Sequence, residues 1–375
     1  MRIESLLFKN FRNLSDESMT PHPSINIIHG MNGQGKTNIL EAISCLSLGK
    51  SFRSVTDKTL IQFTRPLFYI EGSLVDHDVP KTLALSYNGT SKQSRVNGIL
   101  QPKLIQFVGH LKTVSFEPDD LELTKGGNSP KRKFLDMLLC QVDPHYAHAL
   151  AHYQKALDQR NALLKRRPTG WMQMIPAWDE HLANHAVILW RKRKEAMTFI
   201  SETLPVFFSR VSETDDDVKA DYRLKVSEEG VPSRKMPSEE ELKRLFLENL
   251  IALREAEMRR GHTLIGPHRD DITFFLNHMD VKQYASQGQQ RLFSISLKVA
   301  ELHYIEKDCQ TSPVLLLDDV FSELDDTKVK NLLHVLNEND RQIFITGVNP
   351  HEIPFDHASF SIKEGSIRKE TLSFQ

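Results

Sequence analysis

Cysteine is scarce in this chain: three among 375 residues, Cys45, Cys140 and Cys309. No two of them have metal-ligand spacing, and an odd number does not make a disulfide framework. Buried or idle thiols in a reducing compartment are expected. Long apolar runs are missing too. No stretch of about 18 apolar residues occurs, which excludes a helical membrane span. The opening Met1-Arg2-Ile3-Glu4-Ser5 is broken by charges. It has no apolar h-region, so no secretory signal is expected and the chain reads as cytoplasmic. An excess of one charge is also lacking, with 48 basic and 49 acidic residues and a net charge of −1. That excludes coating nucleic acid by bulk charge; any DNA binding must use a local patch. There is no internal repeat and no low-complexity tract.

What is present is length and alternation. A chain of 375 residues exceeds one typical core, so two domains, or one domain with an insertion, are expected. Residues 3–8 and 25–29 read as strands, 37–48 as a helix, and 67–74 and 81–87 as strands. Asn88-Gly89-Thr90 and Asn97-Gly98 mark turns. The middle is helical over about 129–167, breaks at Pro168-Thr169-Gly170, and resumes over 178–208 and 238–260. Ser238 is the expected N-cap of the last stretch, with Glu239 and Glu240 in its first turn. Residues 214–217 and 228–237 read as exposed loops. The last third alternates again: helix 289–307, strand 314–317, helix 326–337, strand 343–346. Strand, helix, strand is the rhythm of a parallel sheet.

Between the second strand and the first helix lies Gly30-Met31-Asn32-Gly33-Gln34-Gly35-Lys36-Thr37. Glycines let backbone N–H groups curl round phosphate oxygens without Cβ interference. Lys36 is placed for the β- and γ-phosphates, Thr37 for Mg²⁺, and the helix that follows points its positive end at the nucleotide. The reading is an ATP site.

Such a site needs a carboxylate at the end of a buried strand. Val314-Leu315-Leu316-Leu317-Asp318-Asp319 supplies one. Asp318 is the expected magnesium residue and Asp319 the candidate for polarising the attacking water. A helix N-cap is the plainer alternative for these aspartates. Lys36 and Asp318 stand 282 positions apart, more than a simple nucleotide-binding core puts between its two motifs. The helical middle is therefore read as an insertion. Ahead of the acidic strand stands Ser286-Gln287-Gly288-Gln289-Gln290-Arg291, opening a helix with apolar spacing of three to four. One nucleotide does not need two anion sites on one chain. The simplest functional reading has Ser286 and Gly288 reach the γ-phosphate held by a second subunit; the plain reading is an ordinary N-cap.

Together the three motifs resemble the ABC-type ATPase heads of the SMC group, with Ser322-Glu323-Leu324-Asp325 similar to that group's D-loop. Within it the chain resembles the RecF family of bacterial recombination and repair proteins. That likeness rests on Phe8-Lys9-Asn10-Phe11-Arg12-Asn13, the loop 30–37, Ser51-Phe52-Arg53, Gly266-Pro267-His268-Arg269-Asp270-Asp271, the Ser286 motif and the stretch 317–325. It implies an α/β, two-lobed ABC-type P-loop head with an inserted, mostly helical arm. On that reading, 1–122 and 260–375 form the head and 123–259 the arm. It also implies ATP-dependent homodimerisation, binding of DNA at single-strand gaps and junctions, and slow hydrolysis that releases the complex. Partners implied are RecO and RecR in loading RecA, with roles in replication restart and the SOS response. Asp325 joins the nucleotide-binding set on the same grounds.

Three departures bear on catalysis. Gly347 follows the strand 343–346 where many ABC ATPases carry a switch histidine, and His351 lies too far along to replace it. Asp319 is shorter than the glutamate common in the group. No glutamine is evident for the loop that senses Mg²⁺. A weak, DNA-stimulated ATPase is expected, and a non-hydrolytic ATP-binding scaffold is the alternative. For DNA, the basic runs Lys131-Arg132-Lys133, Lys165-Arg166-Arg167 and Arg191-Lys192-Arg193-Lys194 are the candidates, with solvated helix faces as the bland reading. Nothing resembles a sequence-reading helix.

Overall fold

The computed structural model describes residues 1–53, 56–339, 341–347 and 355–370; His351 lies outside the described residues. The chain divides into two compact units. One comprises Met1–Asp120, Arg210–Glu213 and Ile295–Gln375, the other Leu121–Ser209 and Thr214–Ser294. The boundary expected at 259–260 falls inside the second unit. Strand pairing explains why: Asp271–Leu276 pairs with Val218–Leu224 along its whole length, tying the residues after 260 to the middle of the chain.

The first unit holds two six-stranded sheets. One is an antiparallel meander ordered Glu17–Met19, Arg2–Lys9, Phe68–Asp76, Val79–Tyr87, Lys92–Val96, Ile99–Gln101. The other runs Ser366–Glu370, His357–Lys363, Ile25–His29, Ile343–Thr346, Val314–Leu317, Thr113–Phe116. Its last five strands are parallel and the first is an antiparallel edge. The strands Val314–Leu317 and Ile343–Thr346 are buried at every residue, as a parallel sheet covered on both faces requires. Helix Lys36–Leu48 packs its buried Ile39, Leu40, Ile43 and Leu46 into the core with Phe8, Phe11, Phe68, Leu316 and Phe344.

The second unit is helical, with one small sheet. Its helices include Asn128–Val142, Pro144–Arg166, Trp171–Ser212 (whose last residues belong to the first unit), Glu239–Ala252 and Arg254–Arg260. Asp143 caps Pro144–Arg166 by accepting from the backbone N–H groups of His145 and Tyr146, and Ser238 caps Glu239–Ala252 through Glu241. Trp171–Ser212 extends beyond the expected 178–208 at both ends and carries Pro176 and Pro205 within it. The sheet is Val231–Pro232, Val218–Leu224, Asp271–Leu276, Met279–Asp280; its first strand lies in 228–237, expected to be an exposed loop, and the others in stretches given no strand from the sequence.

Candidate functional site

The parallel sheet places three loops at one edge. Ile345 is in register with both Leu317 and Ile27, and Thr346 with Ile28. The chain therefore leaves the sheet side by side after His29, Leu317 and Thr346. In open α/β sheets ligands bind beyond the carboxyl ends of the strands.

After His29 the loop turns on glycines. Gly30, Gly33 and Gly35 have φ of 139°, 80° and 117°. A Cβ on Gly30 would stand 2.5 Å from the carbonyl oxygen of Ile362, so no other residue fits there. Lys36 Nζ donates to the carbonyls of Gly30 (2.7 Å) and Met31 (3.2 Å) and to Asn32 Oδ1 (3.2 Å). The ammonium thus sits across the mouth of the loop. Met31 is 79% exposed at its tip. Gln34 reaches sideways to accept from the Glu364 N–H.

Asp318 and Thr37 meet across the sheet edge. Thr37 Oγ1 donates to Asp318 Oδ1 at 2.7 Å, and Thr346 Oγ1 donates to the same oxygen at 2.8 Å. Thr346 Oγ1 in turn accepts from the Asp319 N–H at 3.1 Å. Asp318 is buried while Asp319, at φ 52°, points out into solvent. Thr346 is a site residue that sequence reasoning missed. Its signal was a polar residue ending an otherwise apolar strand beside the acidic one.

A further set of residues holds the loop from behind. Arg12 makes a bidentate pair with Glu41 on the helix Lys36–Leu48 (2.8 and 2.7 Å), and Ser51 Oγ donates to the same carboxylate. Asn13 Nδ2 donates to the Gly33 carbonyl, and Asn38 Nδ2 donates to Asn13 Oδ1. Two stretches that carried the family likeness, 8–13 and 51–53, thus act as braces. The cleft they support has a volume of about 340 Å³, and Lys36, Thr37, Arg53, Asp318, Asp319 and Thr346 are among its lining residues.

The other expected site residues are placed as follows. Ser286 accepts from the Gln289 N–H at 3.2 Å, and Gln289 Oε1 accepts from the Ser286 N–H at 2.9 Å. This is a reciprocal capping box on the helix Gln287–Cys309. Both Ser286 and Gly288 are exposed, and a Cβ on Gly288 would meet open space. Asp325 caps Asp326–Leu336 through the Lys328 N–H, and its bonds to the Lys328 side chain and N–H hold its carboxyl below the usual range.

The basic runs need correction. Lys131 is buried, donates to the Ile272 carbonyl (2.8 Å) and lies over the Phe274 ring. Arg193 is 2% exposed and bonds Asp136, Asp270, Tyr146 and the Pro267 carbonyl. Neither is available to DNA, because each is committed inside the second unit. Arg132 is half-buried on the Asp270 carbonyl, and Lys192 pairs with Asp143 and Glu195. Lys133 and Arg191 are exposed, the latter paired with Glu239.

Comparison with known proteins decides the family. The chain is 38% identical over 99% of its length to the whole of a DNA replication and repair protein RecF of Halalkalibacterium halodurans. It is 36% identical over 98% of its length to the whole of that of Citrifermentans bemidjiense. The chain belongs to the RecF family. Residues 5–51 of this family member also match the AAA domain model. Its fold superposes with TM-score 0.90 on a solved structure described as the recombination mediator protein RecF-ATP in the RecFOR pathway. The two are 31% identical, over 98% of this chain and 97% of that one. An SMC head domain from Pyrococcus furiosus shares the fold at TM-score 0.56 and 15% identity, over 99% of this chain and 96% of that one. Among the described residues no helix is long and apolar enough to cross a membrane.

Proposed function

We propose that this RecF-family protein is an ATP-gated DNA clamp of recombinational repair and replication restart. The observation that carries this reading is the contact of Thr37 Oγ1 with Asp318 Oδ1, 2.7 Å apart beneath a loop turned on positive-φ glycines. Phosphates of ATP bind the N–H groups of residues 30–37 and the Lys36 ammonium. Mg²⁺ takes hard oxygen ligands, one or two carboxylates beside phosphate, and the Thr37–Asp318 pair suits it. That ion, when bound, neutralises charge on the β- and γ-phosphates.

Asp319, free of the Thr37 contact and facing solvent, is the group that orients water for hydrolysis. Its short side chain and the glycine at 347 fit a slow switch better than a motor. Ser286 and Gly288, displayed on a capped helix end with open space beside them, suit a γ-phosphate carried by a second copy. Asp325 joins the nucleotide-binding set by its likeness to the D-loop of related heads. The closed dimer grips duplex DNA beside a single-strand gap without reading sequence, and works with recombination mediators of the RecO and RecR kind. Steady-state ATPase with and without gapped duplex DNA tests the reading. Stimulation by gapped DNA is expected; a rate indifferent to every DNA would favour a scaffold in which ATP is structural.

A further inference from the structure

One group of buried polar side chains in the second unit converges on a short turn. Asp270 accepts four hydrogen bonds: Trp190 Nε1 and the Lys225 N–H on Oδ1, both at 2.9 Å, and Tyr222 OH (2.6 Å) and Arg193 (2.8 Å) on Oδ2. Arg193 also holds the Pro267 carbonyl at 2.7 Å. His268 is fixed between Tyr153 OH and the Thr263 carbonyl. Gly266, at φ 125°, leaves room for the Tyr153 hydroxyl, which a Cβ there would approach to 2.4 Å. Arg132 bonds the Asp270 carbonyl.

Burying so many charges adds little net stability, because desolvation offsets the attraction. What such a network does secure is a single backbone conformation. Of residues 266–271 only Arg269 is exposed. Its N–H closes the turn on the Gly266 carbonyl, while its guanidinium makes no hydrogen bond or ion pair among the described residues. Burial first, then the positive charge of Arg193 and, more weakly, that of Arg269, lower the Arg132 guanidinium, while the carboxylates of Asp270 and Asp271 oppose the shift. An unpaired cation held beside another cation, on a backbone that cannot yield, is arranged to receive an anion.

We propose that Arg269, with Arg132 beside it, is a pre-set contact for a phosphate of the DNA backbone. The guanidinium fork matches phosphate geometry, and a fixed turn removes the ordering entropy that a flexible surface cation would lose on binding. The buried Lys131 and Arg193, expected from the sequence to touch DNA, are instead parts of the frame that presents Arg269. This inference rests on the DNA-clamp reading and names one of its contacts.

Fluorescence anisotropy of a labelled gapped duplex, titrated with the full-length protein and ATP between 50 and 200 mM KCl, tests it. Arg269→Ala and Arg269→Glu are compared with wild type and with Arg95→Ala, an exposed arginine outside every basic run. Arg269→Ala should weaken binding and lower the slope of log Kd against log salt by about one for each protomer that engages DNA. Its binding of a fluorescent ATP analogue and its thermal midpoint should match wild type. An unchanged slope, or an equal loss from Arg95→Ala, would overturn the assignment. A loss of ATP-dependent self-association with the DNA slope intact would assign Arg269 to a protein contact instead, and would also overturn it. If wild type itself binds no DNA, the clamp reading fails, and this inference with it.

Discussion

Gly347 lies against Asp319: a Cβ built on Gly347 would come within 2.3 Å of Asp319 Oδ1. A side chain at the position that carries a histidine in many related ATPases would meet the Asp319 carboxylate here, and its φ of 80° favours glycine as well. Gly347→Ala should push Asp319 from its place while leaving the phosphate loop alone. We expect ATP affinity within about threefold of wild type and turnover lowered about tenfold, or roughly 1.4 kcal/mol on the barrier. Equilibrium binding of a fluorescent ATP analogue and single-turnover hydrolysis separate the two effects. Unaltered turnover would remove Asp319 from the reaction.

Thr346 is the second lever on the same site. Its hydroxyl donates to Asp318 and accepts from the Asp319 N–H, and the residue is 1% exposed. Thr346→Val keeps the shape and removes both bonds. A buried carboxylate that loses a donor costs about 1–3 kcal/mol. Mg²⁺-dependent ATP binding should weaken by about tenfold or more, measurable by calorimetry. Binding at wild-type strength would mean that Thr37 alone orients Asp318.

These two residues show where the sequence stops being legible. The phosphate loop and the acidic strand end are readable because their chemistry demands particular residue types in one short run. Thr346 and Gly347 act through strand register, which pairs positions far apart in the chain. Lys131 and Arg193 were misread for a different reason. A basic run looks the same whether its face meets water or a buried carboxylate. Spacing held the clue: Arg193 falls in the stripe of Ala186, Trp190, Met197 and Ile200, all buried. The strand Val218–Leu224 alternates strictly, with Val218, Ala220, Tyr222 and Leu224 buried, yet one of its inward residues is only an alanine and helices flank it.

The frame around residue 270 makes a stability prediction. Burial raises the Asp270 carboxyl, and the Arg193 guanidinium and the hydrogen bonds oppose it. Burial works against the charge of Arg193, while Asp136, Tyr146, Tyr222 and Asp270 more than restore it. Asp270→Asn keeps the volume but leaves Arg193 short of a partner. Breaking a buried pair in this way costs about 3–5 kcal/mol. Urea denaturation should show a large fall in midpoint, whereas Arg269→Ala, at an exposed and unpaired site, should stay within about 0.5 kcal/mol. Equal effects would mean that the network does not anchor the turn.

His268 gives the second unit a pH dependence. The Thr263 carbonyl can only accept, so Nε2 carries the proton and Nδ1 accepts from Tyr153 OH. Burial pushes the imidazole down to about 3. The folded state therefore stays neutral where the unfolded chain, with its histidine near 6.5, takes up a proton. Stability is complete above about pH 6.5 and falls as pH drops below it, by about 2 kcal/mol by pH 5. His268→Gln should flatten that slope in urea titrations at pH 5 and 7.5. An identical slope in the variant would place the proton uptake elsewhere.

The central claim is that the pocket at Lys36 and Thr37 is completed only by Ser286 of a second copy. Light scattering on the purified protein at micromolar concentration, with and without saturating ATP and Mg²⁺, addresses it most directly, repeated with Ser286→Arg. Wild type should double its mass with ATP. Ser286→Arg should bind ATP as wild type does and remain a monomer. A wild type that stays monomeric under saturating ATP, or a Ser286→Arg variant that dimerises normally, would contradict the account.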